Sequence, residues 1–61
     1  MTGAEIIEWR ERLALSQIAA ARRLGCDVKT LRGYERDRQA IPKAVALACR
    51  AIEAGLRLTG D

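Results

Sequence analysis

Gly25 constrains the fold of this chain more than any other residue, because it marks the point where two short helices meet. Glycine adopts the left-handed conformation that ends a helix without steric cost. The residues before it, Gln17–Leu24, include three alanines and one leucine, which favour a helix. Asp27 then suits the start of a second helix, which we expect to continue to about Arg36. Together these features predict a helix-turn-helix over about residues 16–36.

The flanking residues predict two more helices. Thr2–Glu5 fits a capping box for a first helix that runs to about Ala14. Pro42 suits the first turn of a last helix, and Gly55 suits its end, so we expect this helix over about residues 42–55. The expected fold is all-α: a compact bundle of four short helices, or five, with the helix-turn-helix at its centre.

Length and composition restrict the class of protein. The 61 residues have room for a single domain, residues 1–61. No apolar run approaches the ~20 residues that span a bilayer, and there is no signal peptide, so we expect a cytoplasmic protein without a membrane partner. Cys26 and Cys49 do not make a disulfide framework. Without histidine, metal-ligand spacing or a glycine-rich phosphate loop, the chain suggests no enzyme, no metal, no other cofactor and no small-molecule effector.

The positive charge of the chain is concentrated in the central segment. The net charge of +3 is the sum of −1 in residues 1–15, +4 in residues 16–43 and zero in residues 44–61. Such a local excess is the electrostatic footprint expected of a DNA-binding segment, although small basic domains are also common.

The helix after Gly25 divides into an inner and an outer side. Leu31 and Tyr34 form the inner side. The outer side is a stripe about 100° wide that consists of Val28, Lys29, Arg32 and Arg36. Lysine and arginine donate hydrogen bonds to guanine O6 and N7, and valine can contact a thymine methyl group. We therefore expect Lys29 and Arg32 to read bases, with Val28 as an apolar contact.

Several residues around this stripe are better placed for phosphates, which position a protein on DNA without reading its sequence. They are Thr30, Arg36, Arg38 and Lys43. For Arg36 an alternative remains open, namely an ion pair with its neighbour Glu35 or Asp37.

The central segment resembles the helix-turn-helix family of the phage lambda Cro protein and repressor, the XRE family. The resemblance covers residues 6–52 and depends on a set of matching residues, which are Leu15-Ser16-Gln17, Ala21, Leu24-Gly25, Leu31 and Tyr34-Glu35-Arg36. The shorter stretch Val28–Arg36 also resembles the MerR family. MerR proteins begin at their helix-turn-helix, whereas this chain has a helix before the motif, so the first resemblance is favoured.

The resemblance to the Cro family implies roles for particular residues. Gln17 would bind a DNA phosphate from the terminus of its helix, beside the cap residue Ser16. Arg10 and Glu35 would form a partly buried structural ion pair. Base reading would come from the first two turns of the recognition helix, at Val28, Lys29, Arg32 and Gly33.

Two residues depart from the family pattern. Ala20 replaces the usual inner leucine, so the core must be filled from elsewhere, and Trp9 is a candidate. Gly33 replaces a side chain that often reads a base. It either removes a contact, or allows the DNA backbone or a base to approach closely.

The last helix has two apolar faces, although covering a small core requires only one. The first face consists of Val45, Ala48, Cys49, Ile52 and Leu56. The second consists of Ala44, Leu47, Ala51 and Ala54, and we expect it to be a dimer interface. The family often uses a fifth helix to dimerise; we expect no full fifth helix here, so the last helix would have to carry any dimer.

These features predict a sequence-specific, double-stranded DNA-binding transcriptional regulator, a dimeric repressor of the phage or prophage kind. Two-fold symmetry would make the operator an inverted repeat. The alternative is a protein-interaction module of the antitoxin or adaptor type, including an anti-CRISPR-associated autorepressor, because such proteins share this fold. A purely structural bundle would not need the localised basic charge.

Overall fold

Over residues 1–59 the fold is an all-α bundle of four helices, as the sequence predicts. The computed structural model describes residues 1–59, with side chains for residues 1–55. In chain order the helices are α1 (Gly3–Arg12), α2 (Gln17–Leu24), α3 (Val28–Glu35) and α4 (Lys43–Thr59). No strand occurs within residues 1–59.

Two of the helix starts have the caps that the sequence predicts. The Thr2 Oγ1 atom accepts from the backbone N–H of Glu5 at 3.2 Å, and a Glu5 carboxylate oxygen accepts from the Thr2 N–H at 2.8 Å. The second of these bonds lowers the pKa of Glu5 below its ordinary value. At α2, Ser16 Oγ accepts from the N–H of Ala19 at 3.1 Å. Asp27 precedes α3 as predicted, but its side chain makes no capping hydrogen bond.

The first three helices end in the same way, with one residue in the left-handed conformation. The three residues are Ala14 (φ 56°), Gly25 (φ 73°) and Asp37 (φ 55°). At each end two backbone hydrogen bonds close a Schellman motif; after α3 they run from Asp37 N to Tyr34 O at 3.1 Å and from Arg38 N to Gly33 O at 2.9 Å.

This geometry corrects two predicted helix ends. Helix α1 stops at Arg12 rather than at Ala14, because Ala14 is the left-handed residue that terminates it. Helix α3 stops at Glu35, one residue before Arg36.

The bounds of α4 also differ from the prediction. The helix begins at Lys43, and Pro42 precedes it, with the Pro42 carbonyl accepting from the N–H groups of Val45 and Ala46 at 3.0 and 3.3 Å. Gly55 does not stop the helix, which continues to Thr59. A glycine inside a helix costs only about 0.5–1 kcal/mol relative to alanine, and the leucines and arginine that follow favour the helix.

The core lies where α1, α2, α3 and the first half of α4 meet. Its buried side chains are Ile6, Trp9, Ala20, Ala21, Leu31, Tyr34 and Cys49. Trp9 is only 2% exposed, and its indole Nε1 donates to the carbonyl of Cys49 at 2.9 Å. Trp9 thus fills core space that the small side chain of Ala20 leaves, as proposed from the sequence. Burial raises the pKa of the Cys49 thiol to about 11.

The rest of the predicted inner face of α4 is partly buried. Val45 and Ile52 pack against the core, whereas the side chain of Leu56 lies outside the described residues. Arg12 on α1 forms a bidentate ion pair with Glu53 on α4, at 2.9 and 3.0 Å, which raises the pKa of Arg12 above its ordinary value.

Helix α1 begins directly against the end of α3. The Gly3 N–H donates to a carboxylate oxygen of Asp37 at 2.8 Å, so Asp37, in the loop after α3, caps the start of α1. A Cβ atom at Gly3 would lie 2.5 Å from the Glu35 carbonyl oxygen and 2.6 Å from that of Tyr34. Only glycine therefore permits this approach between the two backbones.

We predict that Gly3→Ala destabilises the protein and that Gly55→Ala stabilises it. The first change forces a Cβ atom into two backbone carbonyls, and overpacking of this kind typically costs about 1–3 kcal/mol. The second places a Cβ atom in open space inside a helix, which gains about 0.5–1 kcal/mol. Urea unfolding followed by circular dichroism measures both. Equal stability of the two variants would contradict the close approach at Gly3.

Candidate nucleic-acid interface

The outer face of α3 and its C-cap residue present three cations and one glycine at helical spacing. Lys29, Arg32, Gly33 and Arg36 are separated by three, one and three residues, so they share one side of the helix. Leu31 and Tyr34 are buried on the opposite side. The buried pair fixes the rotation of α3, and the outer row is therefore presented outward.

This row borders an open concavity of about 520 Å³. Its lining residues are Lys29, Arg32, Gly33, Arg36, Arg38 and Gln39. Four of the six are cations, and none of them is a carboxylate. We refer to this surface as the α3 concavity. Arg38, which the sequence suggested only as a flanking phosphate contact, borders the same concavity as the candidate base readers Lys29 and Arg32.

The acidic residues next to Arg36 are occupied elsewhere. Glu35 accepts from Arg10 at 2.8 Å, and its side chain is only 7% exposed. Asp37 accepts from the Gly3 N–H. Neither acid is an ion-pair partner of Arg36 among the described side chains, so the alternative of a neighbouring ion pair for Arg36 is not realised.

Glu35 is the centre of a hydrogen-bonded network that joins three helices. One carboxylate oxygen accepts from Arg10 Nε at 2.8 Å, and the other accepts from the Gln17 amide nitrogen at 2.9 Å. The Gln17 amide oxygen in turn accepts from Arg32 Nε at 3.2 Å. Arg10 also donates to the carbonyl of Leu15 at 3.2 Å. We refer to Arg10, Glu35, Gln17 and Arg32 as the Glu35 network.

The network orients two of the predicted DNA contacts. It holds Arg32 through Nε alone, which leaves the two terminal nitrogens of the guanidinium for a ligand. Gln17 uses one amide N–H on Glu35 and keeps a second N–H at the start of α2. This is the end of a helix that favours anions. Ser16, by contrast, uses its hydroxyl oxygen to cap α2.

Three other predicted contacts are less exposed or lie elsewhere. Val28 is half-buried and packs against the core, so only part of its side chain faces outward. Thr30 is half-buried as well. Lys43 borders a different concavity, of about 260 Å³, together with Glu5, Leu47 and others.

Gly33 has a neighbour that the sequence did not suggest. The space beside it is filled by the side chain of Gln39, from the loop between α3 and α4. The sequence left two interpretations of Gly33 open, a lost base contact or a close approach of DNA. A glycine in the middle of a helix indicates that another group approaches the backbone closely, but the sequence alone does not identify that group.

The second apolar face of α4 is exposed. Ala44, Leu47, Ala51 and Ala54 are all accessible, and Leu47 is 54% exposed. Met1, 43% exposed, borders the same concavity as Leu47.

Comparison with known families identifies the motif. A family model described as helix-turn-helix matches residues 6–52, which is most of the chain. The chain belongs to the Cro and phage-repressor (XRE) family of helix-turn-helix proteins. Members of the family are DNA-binding transcription regulators. No curated protein and no solved structure matched the chain.

Two further observations concern membrane-spanning helices and metal-binding groups. Within residues 1–59, no helix has the length and apolar character that a membrane span requires. Among the described side chains, no group of three or more His, Cys, Asp or Glu residues could hold a metal ion.

We predict that Glu35→Ala strongly destabilises the fold. Removing a nearly buried carboxylate leaves the Arg10 guanidinium and the Gln17 amide without their partner, and breaking a buried pair costs up to about 3–5 kcal/mol. Arg12→Ala is the control, because it removes an ion pair in which the arginine is 54% exposed, and it should shift the melting temperature much less. A Glu35→Ala protein that melts with the wild type would contradict the structural role of the network.

Proposed function

We propose that this protein is a sequence-specific transcriptional repressor of the phage or prophage type, which binds as a homodimer with α3 in the major groove of DNA. Repression would follow from steric exclusion of the polymerase at the operator. The observation that carries the proposal is the α3 concavity, in which four cations and no carboxylate border the exposed side of the recognition helix.

The proposed contacts divide into base readers and phosphate contacts. Lys29 and Arg32 read guanine, and Val28 offers its exposed part to a thymine methyl group. Gly33 contributes by its lack of a side chain. The phosphate contacts are proposed for Ser16, Gln17, Thr30, Arg36, Arg38 and Lys43. The support for Arg32 and Gln17 is their direct hydrogen bond, which holds a base reader and a phosphate ligand in one unit.

We also propose the exposed face of α4 as the dimer interface. The face consists of Ala44, Leu47, Ala51 and Ala54, and its small side chains would allow another helix to approach closely. Met1 would extend the apolar surface beside Leu47. A two-fold dimer presents two recognition helices about 34 Å apart, so the operator would be an inverted repeat.

We predict salt-dependent DNA binding in which Arg32 and Lys29 carry sequence discrimination. Roughly six phosphate contacts per dimer would give a log–log salt slope near −5. Arg32→Ala and Lys29→Ala should each lose about 1–3 kcal/mol of discrimination between a selected and a scrambled duplex. Fluorescence anisotropy titrations at several salt concentrations measure both quantities.

The control for this prediction is Arg23→Ala, which removes the same charge from an exposed position at the end of α2. It should leave discrimination unchanged, and Arg38→Ala and Lys43→Ala should weaken binding to both duplexes alike. A salt slope near zero for the wild type would exclude DNA binding. Equal losses on both duplexes for Arg32→Ala would show a phosphate contact instead of a base contact.

We predict that Leu47→Glu yields a folded monomer with much weaker operator affinity. The substitution places a charge in the proposed interface and leaves the buried face of α4 unchanged. Sedimentation velocity gives the mass, and circular dichroism verifies the fold. Unchanged mass and affinity in Leu47→Glu would show that the dimer forms elsewhere.

The exposed α4 face also supports the alternative function, an antitoxin or adaptor-type interaction module. In that case the face would bind a different protein chain. A wild-type protein that stays monomeric at high micromolar concentration, with or without operator DNA, would favour this alternative over the homodimer.

A further inference from the structure

The side chain of Gln39 lies against α3 beside Gly33 and Thr30. A Cβ atom built at Gly33 would lie 2.6 Å from the Gln39 amide nitrogen and 3.4 Å from its Cδ atom. Gln39 therefore occupies the space into which any larger residue at position 33 would project. It belongs to the loop after α3, yet its amide lies among the residues of the recognition helix.

Two backbone features bring Gln39 to this place. The left-handed Asp37 and the hydrogen bond from Arg38 N to Gly33 O turn the loop back over α3. The Gln39 amide nitrogen then donates to the carbonyl of Thr30 at 3.4 Å. A carbonyl oxygen can only accept, so this contact also decides which end of the amide faces α3.

The hydrogen-bonding groups of the Gln39 amide that do not contact Thr30 are complementary to adenine. With one N–H directed to Thr30, the side chain keeps one N–H donor and one carbonyl acceptor. In the major groove, adenine presents the complementary pair, the N7 acceptor and the N6 amino donor. The four cations that border the α3 concavity can donate but cannot accept, so among its described lining side chains Gln39 is the one that can recognise an amino group.

We propose that Gln39 is a base-reading residue that recognises adenine from the position left vacant by Gly33. The proposal rests on the proposed function, because it assumes that DNA binds at the α3 concavity. Gly33 and Gln39 act as a pair: the glycine provides the space, and the loop residue provides the side chain that reads the base. Lys29 and Arg32 read guanine beside them.

The test is a parallel selection of bound DNA by the wild type, Gln39→Ala and Gly33→Ala. The probe is a pool of random duplexes of about 20 base pairs, which holds two half-sites one turn apart. The wild type should select a half-site with an adenine next to the guanine positions. Gln39→Ala should lose about tenfold in preference at that adenine alone, and should keep its guanine preferences and its salt slope.

Gly33→Ala tests the same role in a second way, because it moves the Gln39 side chain without removing it. Its added methyl group displaces the Gln39 amide while Gln39 and the rest of the loop stay unchanged, so it should lose the same adenine preference. Circular dichroism verifies the fold, which alanine in a helix should preserve. Arg38→Ala is the control, and it should weaken binding to every sequence without changing any preference.

The outcomes separate the two proposals. A wild type that binds no duplex at low salt overturns the proposed function, and the role of Gln39 falls with it. A wild type that discriminates sequences while Gln39→Ala selects the identical half-site overturns the role of Gln39 alone. A Gln39→Ala protein that is weaker on all sequences equally overturns it as well, since Gln39 would then contact only phosphate. An adenine preference retained in Gly33→Ala would overturn the pairing of the two residues.

Discussion

The arrangement of the first three helices depends on the hydrogen bonds that the Glu35 carboxylate accepts. This carboxylate is nearly buried, so its charge must be compensated within the protein, and Arg10 and Gln17 each supply a hydrogen bond to a different carboxylate oxygen. These contacts fix α1 and the start of α2 relative to α3. Because Gln17 also accepts from Arg32, the same network extends from the interior to the outer face of α3. Stability and the orientation of a proposed base reader are therefore coupled in one set of contacts.

The sequence predicted the features of the fold that depend on local chemistry. The capping box at Thr2, the cap at Ser16 and the left-handed turn at Gly25 each depend on residues close in sequence. Other features were not predicted, and one of them depends on a contact between distant residues. Ala14 and Asp37 adopt the left-handed conformation although neither is glycine, and Asp37 caps α1 from 34 residues away. No local pattern distinguishes such residues from ordinary helical or loop residues.

The candidate site was predictable to a similar extent. Helical spacing alone brings Lys29, Arg32 and Arg36 to one side of α3, and the buried Leu31 confirms that this side faces outward. The position of Gln39 depends instead on how the loop folds back over Gly33. The only sign of this in the sequence is a glycine in the middle of a helix. Lys43 likewise borders a different concavity because α4 packs beside α1. The spacing of residues along the sequence does not predict how two helices pack.

The central claim is that DNA meets the protein at the α3 concavity, and amide chemical-shift mapping tests it most directly. Labelled wild-type protein would be titrated at low salt with a half-site duplex of about 10 base pairs, so that one protomer binds without a partner. The account predicts the largest shifts in residues 29–39 and at the start of α2, with little change at Leu47, Ala51 and Ala54. Shifts centred on that exposed face of α4, or no shifts at any duplex concentration, would contradict it.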